Sequence, residues 1–409
     1  MFQVFRFFPL LFFFTAPGLF SYDIRCFPVN SVLIVNGTVL QPDSMSKDVR
    51  HYNLPLNWPY AFLRAPGFRD KYIPFHIPRE TAEEYKLERF HTKFVFDAFV
   101  TTGSQPKSVR FSPDGKYYVT ALLNGGGIEV FYSGSNRKYT DGMLPRNYAE
   151  KKGFVETLFL PQVHELWVSQ MTTGMIHVFD SRNFTYLRSF PSGGHWPKVI
   201  AAGREGRRAF VSNWESETIS VIDIRSHTLL HTLRTPGIPR GLGVSPDNKY
   251  LYAAVYSAGV VVKIDLSTLR IVKKIYFGHR SAPRHIVVAV RKDRLYVSDM
   301  YRGTISVIDP ASDRVLKRFS VGSNLNTIAL TPDERYLFIS SRGKNSAEGY
   351  LHKGPVFGKI FVYDTLRRRL VDWTWGGNQP TGLAVSPKGN LVAFTDFLDH
   401  RIEIYRWEM

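Results

Sequence analysis

A chain of 409 residues is too long for one small core, so its length predicts one large repeat domain with a smaller one attached. Its 53 basic and 35 acidic side chains leave a formal charge of +18. That balance points to anionic partners, although a basic surface can also serve solubility alone. The single cysteine, Cys26, excludes an internal disulfide framework.

The chain opens with a charged start at Arg6, an apolar block over 7–14 and small residues near 18–21. This is the pattern of a secretory signal peptide spanning 1–21, cut near 18–21. The block is shorter than the roughly 20 apolar residues a membrane-spanning helix needs, and no later stretch qualifies. Cys26 follows Asp23-Ile24-Arg25 rather than the small apolar residues that precede a lipidated cysteine, so its modification stays open.

Residues 26–78 follow no repeat and read as a small β domain, with Val35-Asn36-Gly37 marking a hairpin turn. The charged stretch over 79–91 has a helical pattern and predicts a linker helix. From Thr92 onward one unit recurs. It is anchored at Pro106, Phe154, Pro197, Pro239, Pro283, Leu325 and Pro380, with a second apolar run twelve positions after each anchor. Twenty-six positions after four of the anchors stands Asp180, Asp223, Asp265 or Asp309, and Asp364 arrives thirteen residues late. Ser112-Pro-Asp-Gly115, Ser245-Pro-Asp-Asn248 and Thr331-Pro-Asp-Glu334 supply turns between first and second strands. The repeated aspartates read as turn caps, because a catalytic acid would stand once.

One offset held through seven copies, with a second recurring in most of them, predicts an all-β fold, a seven-bladed β-propeller over 92–409. The last repeat lacks a fourth strand. The strand beginning at Phe94 has the layout to supply it and close the ring beside Ile402–Trp407, removing two sheet edges. Two insertions, 133–152 and 343–358, break the period and are candidates for functional loops.

The repeat over 209–256 resembles the YVTN-type propellers of bacterial surface and periplasmic proteins, the YncE-like and lactonase-like group. The strand, Asn-Gly turn and Gly67-Phe68 of the first domain are similar to PEGA-type envelope modules. These resemblances imply a secreted, periplasmic or envelope-associated protein. The lactonase-like group further implies a runner-up activity, the opening of a cyclic ester, with His285 as base and Arg240 or Arg284 stabilising developing charge.

One position past the anchors stand Lys107, Lys198, Arg240 and Arg284, a cation in four of seven repeats. On a propeller this predicts a positive ring at a funnel that attracts an anion. The alternative is that each cation pairs with a nearby acid. Loops after the second strands add Asn213, Trp214, Tyr256, Asp299, Arg342 and Asp396, and His285 reaches the same face. Aromatic faces beside cations suit rings of sugars, bases or side chains. No histidine pattern predicts a metal site, and no cofactor motif is present. Among nucleic-acid signals, the densest basic cluster is 367–369, on a hairpin. The leading reading is therefore a non-enzymatic binding propeller for an acidic protein, a glycan or another anionic envelope component. Nucleic acid and a peripheral membrane surface stay open as partners.

Overall fold

The computed structural model describes residues 19–28, 30–35, 38–46, 49–55, 60–65, 68–74, 83–91, 94–203 and 205–407, in two compact units, 1–89 and 90–409. The expected signal peptide falls mainly on residues 1–18, outside the described residues; Leu19–Phe27 is already a strand.

The first unit contains two four-stranded sheets. One runs Ser44–Ser46, Val49–Pro55, Leu19–Phe27, Glu83–Lys86; the other runs Thr38–Leu40, Val32–Val35, Tyr60–Arg64, Lys71–Pro74. Tyr22, Ile24 and Cys26 alternate into a core with Leu33, Tyr52, Leu63 and Ile73, the period of two expected of half-buried strands. Cys26 is packed there as a small apolar side chain.

Of the linker helix expected over 79–91, residues 79–82 lie outside the described residues, and the described part is not helical. Glu83–Lys86 is a strand that pairs in parallel with Ile24–Phe27. Tyr85 and Leu87, two apart, both pack on the core, and the Tyr85 hydroxyl lies 3.0 Å from that of Tyr22. Period-two burial and an open sheet edge override the helical pattern of the charges. The small domain thus extends beyond the expected 26–78 at both ends, taking in Leu19–Phe27 and Glu83–Lys86.

The second unit is a propeller of seven four-stranded sheets. Six are consecutive antiparallel meanders, over 106–142, 154–191, 197–234, 239–276, 283–320 and 325–375, here blades 1 to 6. Blade 7 combines Pro380–Val385, Leu391–Asp396 and Arg401–Trp407 with the N-terminal strand Phe94–Thr101. The closing pair is antiparallel, Phe94 opposite Trp407 and Thr101 opposite Arg401, and Phe94 stacks on Tyr405 with ring centroids 4.3 Å apart.

Each anchor is the first residue of an innermost strand, a place where proline loses no ladder hydrogen bond. The repeated aspartates cap turns as expected: Asp180, Asp223, Asp265 and Asp364 accept backbone N–H groups two or three residues on. The insertion 133–152 contains the outer strand of blade 1, Lys138–Gly142, and one short helical turn, Arg146–Ala149. The insertion 343–358 joins the second and third strands of blade 6. It is tied to blade 7 by Lys353–Asp399 at 2.8 Å and by the Gly354 N–H, which donates to Asn378. No helix among the described residues is long and apolar enough to cross a membrane.

Candidate functional site

All seven innermost strands break register immediately after the anchor. A bulge re-aims the side chain it carries, and this is the position of Lys107, Lys198, Arg240 and Arg284. Hydroxyls from the second strand of the preceding blade hold the bulged backbone. Ser169 donates to the Lys198 carbonyl at 2.8 Å, Ser212 to that of Arg240 at 2.9 Å, and Ser298 to that of Asn326 at 2.8 Å. The matching signal in the sequence is a Ser or Thr fifteen positions after five of the seven anchors.

The four cations converge, and Arg342 joins them. Lys107, Arg240, Arg284 and Arg342 are each at most 8% exposed, while Lys198 is half-buried. Burial, then the charges of Arg342, Arg284, Lys198 and Arg240, hold the Lys107 amine well below the usual lysine range. Burial followed by Arg240 and Arg284 lowers Lys198 to about 7, against an opposing pull from Glu156. Arg284 is lowered by burial and by Arg240 and Arg342.

Pairing with nearby acids, the alternative to a free ring, accounts for one of the five. Among the described residues their only ion pair is Arg240 with Glu156, at 3.4 Å. Lys107 lies over the rings of Phe397 and Tyr350, at 4.3 and 5.4 Å. Lys198 lies over Trp196 and Trp214, at 5.3 and 5.8 Å, with its amine on the Met171 sulfur. Arg284 donates through Nε to Asn326 Oδ1 at 2.6 Å and points Nη1 at the Met300 sulfur. Arg342 donates to Gln379 Oε1 and stands 5.5 Å over Tyr350. Trp214 and Tyr256 lie against each other, centroids 5.2 Å apart. Beneath this mouth the channel between innermost strands encloses about 500 Å³, lined by Arg110, Glu156, His285 and Thr327 above apolar residues such as Leu158 and Val244.

Of the residues expected at the funnel, the structure gathers Lys107, Lys198, Arg240, Arg284, Arg342, Trp214 and Tyr256 there. Asn213, Asp299 and Asp396 are corrections: each is fully buried and bonded into the blade-to-blade connection, with Asp299 Oδ2 left without a partner among the described residues. Asp299 accepts the N–H groups of Ala282 and Arg302, and Asp396 accepts that of Gly377 while pairing with Arg401 at 2.8 Å. Asn213 donates to Thr218 and Ser220 and accepts from Ser192. They occupy one register position, sixteen past the anchor, where a short polar side chain ties down the incoming loop.

His285 lines the channel, but burial and the charges of Arg240, Arg110 and Arg284 lower it to about 3. An imidazole so poorly basic has little drive to take a proton near neutral pH, which removes the support for its role as general base. Glu156, Arg110, Asn326, Gln379 and Tyr350 were not expected. Glu156 shares the register of His285, two past its anchor, and Tyr350 lies in the insertion singled out as a functional loop. The basic cluster 367–369 lies at the turn between the outer strands of blade 6 and takes no part. No cluster of three or more metal-ligating side chains occurs among the described residues.

The profile of the cytochrome D1 heme domain family matches residues 165–346. Antigen Lp49 of Leptospira interrogans is 38% identical over 355 residues, covering 84% of this chain and 76% of that protein. Hydrazine synthase of Kuenenia stuttgartiensis superposes with a TM-score of 0.64 at 19% identity, over 75% of this chain and 97% of that one, a likeness of fold.

Proposed function

The chain belongs to the family of the leptospiral antigen Lp49, and we propose that it is an exported, envelope-associated binding propeller whose funnel takes an anionic ligand. One observation carries this reading: five cations share one mouth, and among the described residues a single carboxylate, Glu156, pairs with any of them. Burying like charges together is costly unless something of opposite charge completes the set. Their burial also narrows the partner. A flat acidic surface does not reach side chains so recessed, whereas an acid group protruding from a glycan, a protein or another envelope component does. YVTN-type ancestry, a PEGA-like first domain and a leader over 1–21 cut near 18–21 belong to the same reading.

The cytochrome D1 match raises the question of a haem. The cation ring suits acid substituents on such a ring. The iron is less well served by the described residues. His285 is the histidine in the channel, and its Nδ1 faces the Ile328 N–H at 3.5 Å. The tautomer that accepts there carries its proton on Nε2, the nitrogen left to face a metal. The Met171 and Met300 sulfurs are in contact with Lys198 and Arg284. The cations therefore fit a ligand's acid groups, while the histidine and methionine donors are not arranged for a haem iron.

The test is calorimetric titration of the protein with citrate at fixed ionic strength, beside the Arg240→Ala/Arg284→Ala variant. Saturable binding that the variant loses, with its fold intact by circular dichroism, is the expected result. Equal binding by both proteins would sink the reading.

A further inference from the structure

The charges of the five cations act on one another across the mouth, but the side chains they meet divide them into two groups. Lys198, Arg240 and Arg284 group round Glu156, with Trp214, Tyr256 and Met300 as walls. Lys107 and Arg342 form a second group, both over the ring of Tyr350 at 5.4 and 5.5 Å. With both lysines protonated, the first group holds three positive charges and shares Glu156 with Arg110 beneath it, a surplus of at least two; the second holds two positive charges and no paired carboxylate among the described residues, again a surplus of two.

The first group also has unused donors. Arg240 Nη1 and Asn326 Nδ2 find no acceptor among the described residues, although Arg240 and Asn326 are only 5% and 2% exposed. Asn326 is oriented by Arg284, which takes its oxygen and leaves its amide nitrogen unsatisfied. A buried donor without an acceptor is unfavourable, and an oxyanion relieves it. In the second group Gln379 occupies part of the Arg342 fork, and Lys107 is held only by aromatic faces among its described contacts. Aromatic rings border both groups.

Resting on the reading of the funnel as an anion site, we propose that its ligand carries two acid groups, carboxylate or phosphate, on one apolar spacer. One group seats at Arg240, Arg284 and Asn326; the other seats at Lys107 and Arg342; the spacer runs along the aromatic walls. Two ends joined in one molecule bind as a unit, so the second engages at a high effective concentration. A monovalent acid neutralises one seat and leaves the other unfilled.

The experiment uses two series of straight-chain probes, α,ω-dicarboxylates and α,ω-bisphosphonates of three to ten carbons. Monocarboxylates and monophosphonates of equal length are the controls, and all are titrated calorimetrically at equal ionic strength. We expect one length of diacid to bind at least about tenfold tighter than its monoacid. Arg342→Gln should bring the diacid to the level of the monoacid while changing the monoacid less than about threefold. Lys107→Met serves as the second variant, because Arg342 also supports the 343–358 insertion. The series with the larger gain identifies the acid. If monoacids bind saturably and no diacid exceeds them by more than the statistical factor of about two, the two-seat proposal is wrong and the anion site stands. If neither class binds, the anion reading itself fails.

Discussion

Lys198 gives the funnel a pH dependence whose sign is fixed by its surroundings. Burial and the neighbouring Arg240 and Arg284 lower its amine to about 7, against roughly 10.4 for a free lysine. An anion that binds the ammonium form must first restore its proton above that pH. At pH 8 about nine-tenths of a group titrating at 7 is neutral, so affinity should fall by up to about tenfold, and by up to about a hundredfold by pH 9, the full fall marking an anion that needs the Lys198 ammonium beside its seat. Folding stability runs the other way. Between about 7 and 10.4 the unfolded chain binds the proton and the folded chain does not, so stability rises with pH through that window. Below 7 the full cost of the buried charge is present. Lys107, also lowered, acts in the same direction. Calorimetry of a tight diacid in buffers of different ionisation enthalpy would count protons taken up at pH 8. A dissociation constant flat from pH 6 to 9, or an unchanged pH profile in Lys198→Met, would refute the assignment.

Three further outcomes follow from the geometry. Deleting 94–102 should abolish the cooperative melt of the propeller, because it strips the strand that pairs with Arg401–Trp407 and reopens two edges; a variant that melts like the parent would disprove closure. Asp299→Ala should cost about 1–3 kcal/mol of stability by orphaning the Ala282 and Arg302 N–H groups and leave anion affinity unchanged, as denaturant unfolding and titration would show. Arg240→Ala/Arg284→Ala should lower the association rate and flatten its salt dependence, while Trp214→Ala should mainly speed dissociation, since charge acts at long range and aromatic contact at short; stopped-flow rates at two salt concentrations separate them.

The propeller was legible because its constraints recur. A proline that begins an innermost strand, a Ser-Pro-Asp turn and an aspartate that caps its own hairpin each act locally, so each leaves a mark at a fixed offset. The Phe94 strand could be placed although its partner lies some 300 residues away, because a missing fourth strand is itself a break in period. The stretch 83–86 misled because it occurs once. With no second copy to fix its register, helix-like charge spacing was read in place of the alternation of Tyr85 and Leu87.

The site divides along the same line, for a physical reason. A register break behind every anchor makes one side chain per blade free to differ, and there the chain places Lys, Lys, Arg and Arg. Sixteen positions past the anchor, Asp299 and Asp396 accept backbone N–H groups of the incoming loop, and Asn213 accepts from the Ser192 hydroxyl. Both sets recur around one axis, so recurrence alone could not tell a ligand-facing residue from a loop-fastening one. What separates them is which polar atoms are left over. Asp299 and Asp396 give an oxygen to backbone N–H groups, and the atom Asp299 leaves over, Oδ2, is an acceptor; Arg240 and Asn326 leave over N–H donors. An unsatisfied donor suits an oxyanion and an unsatisfied acceptor does not, so the kind of atom left over, rather than its position on the repeat, marks the side chains that face an anion.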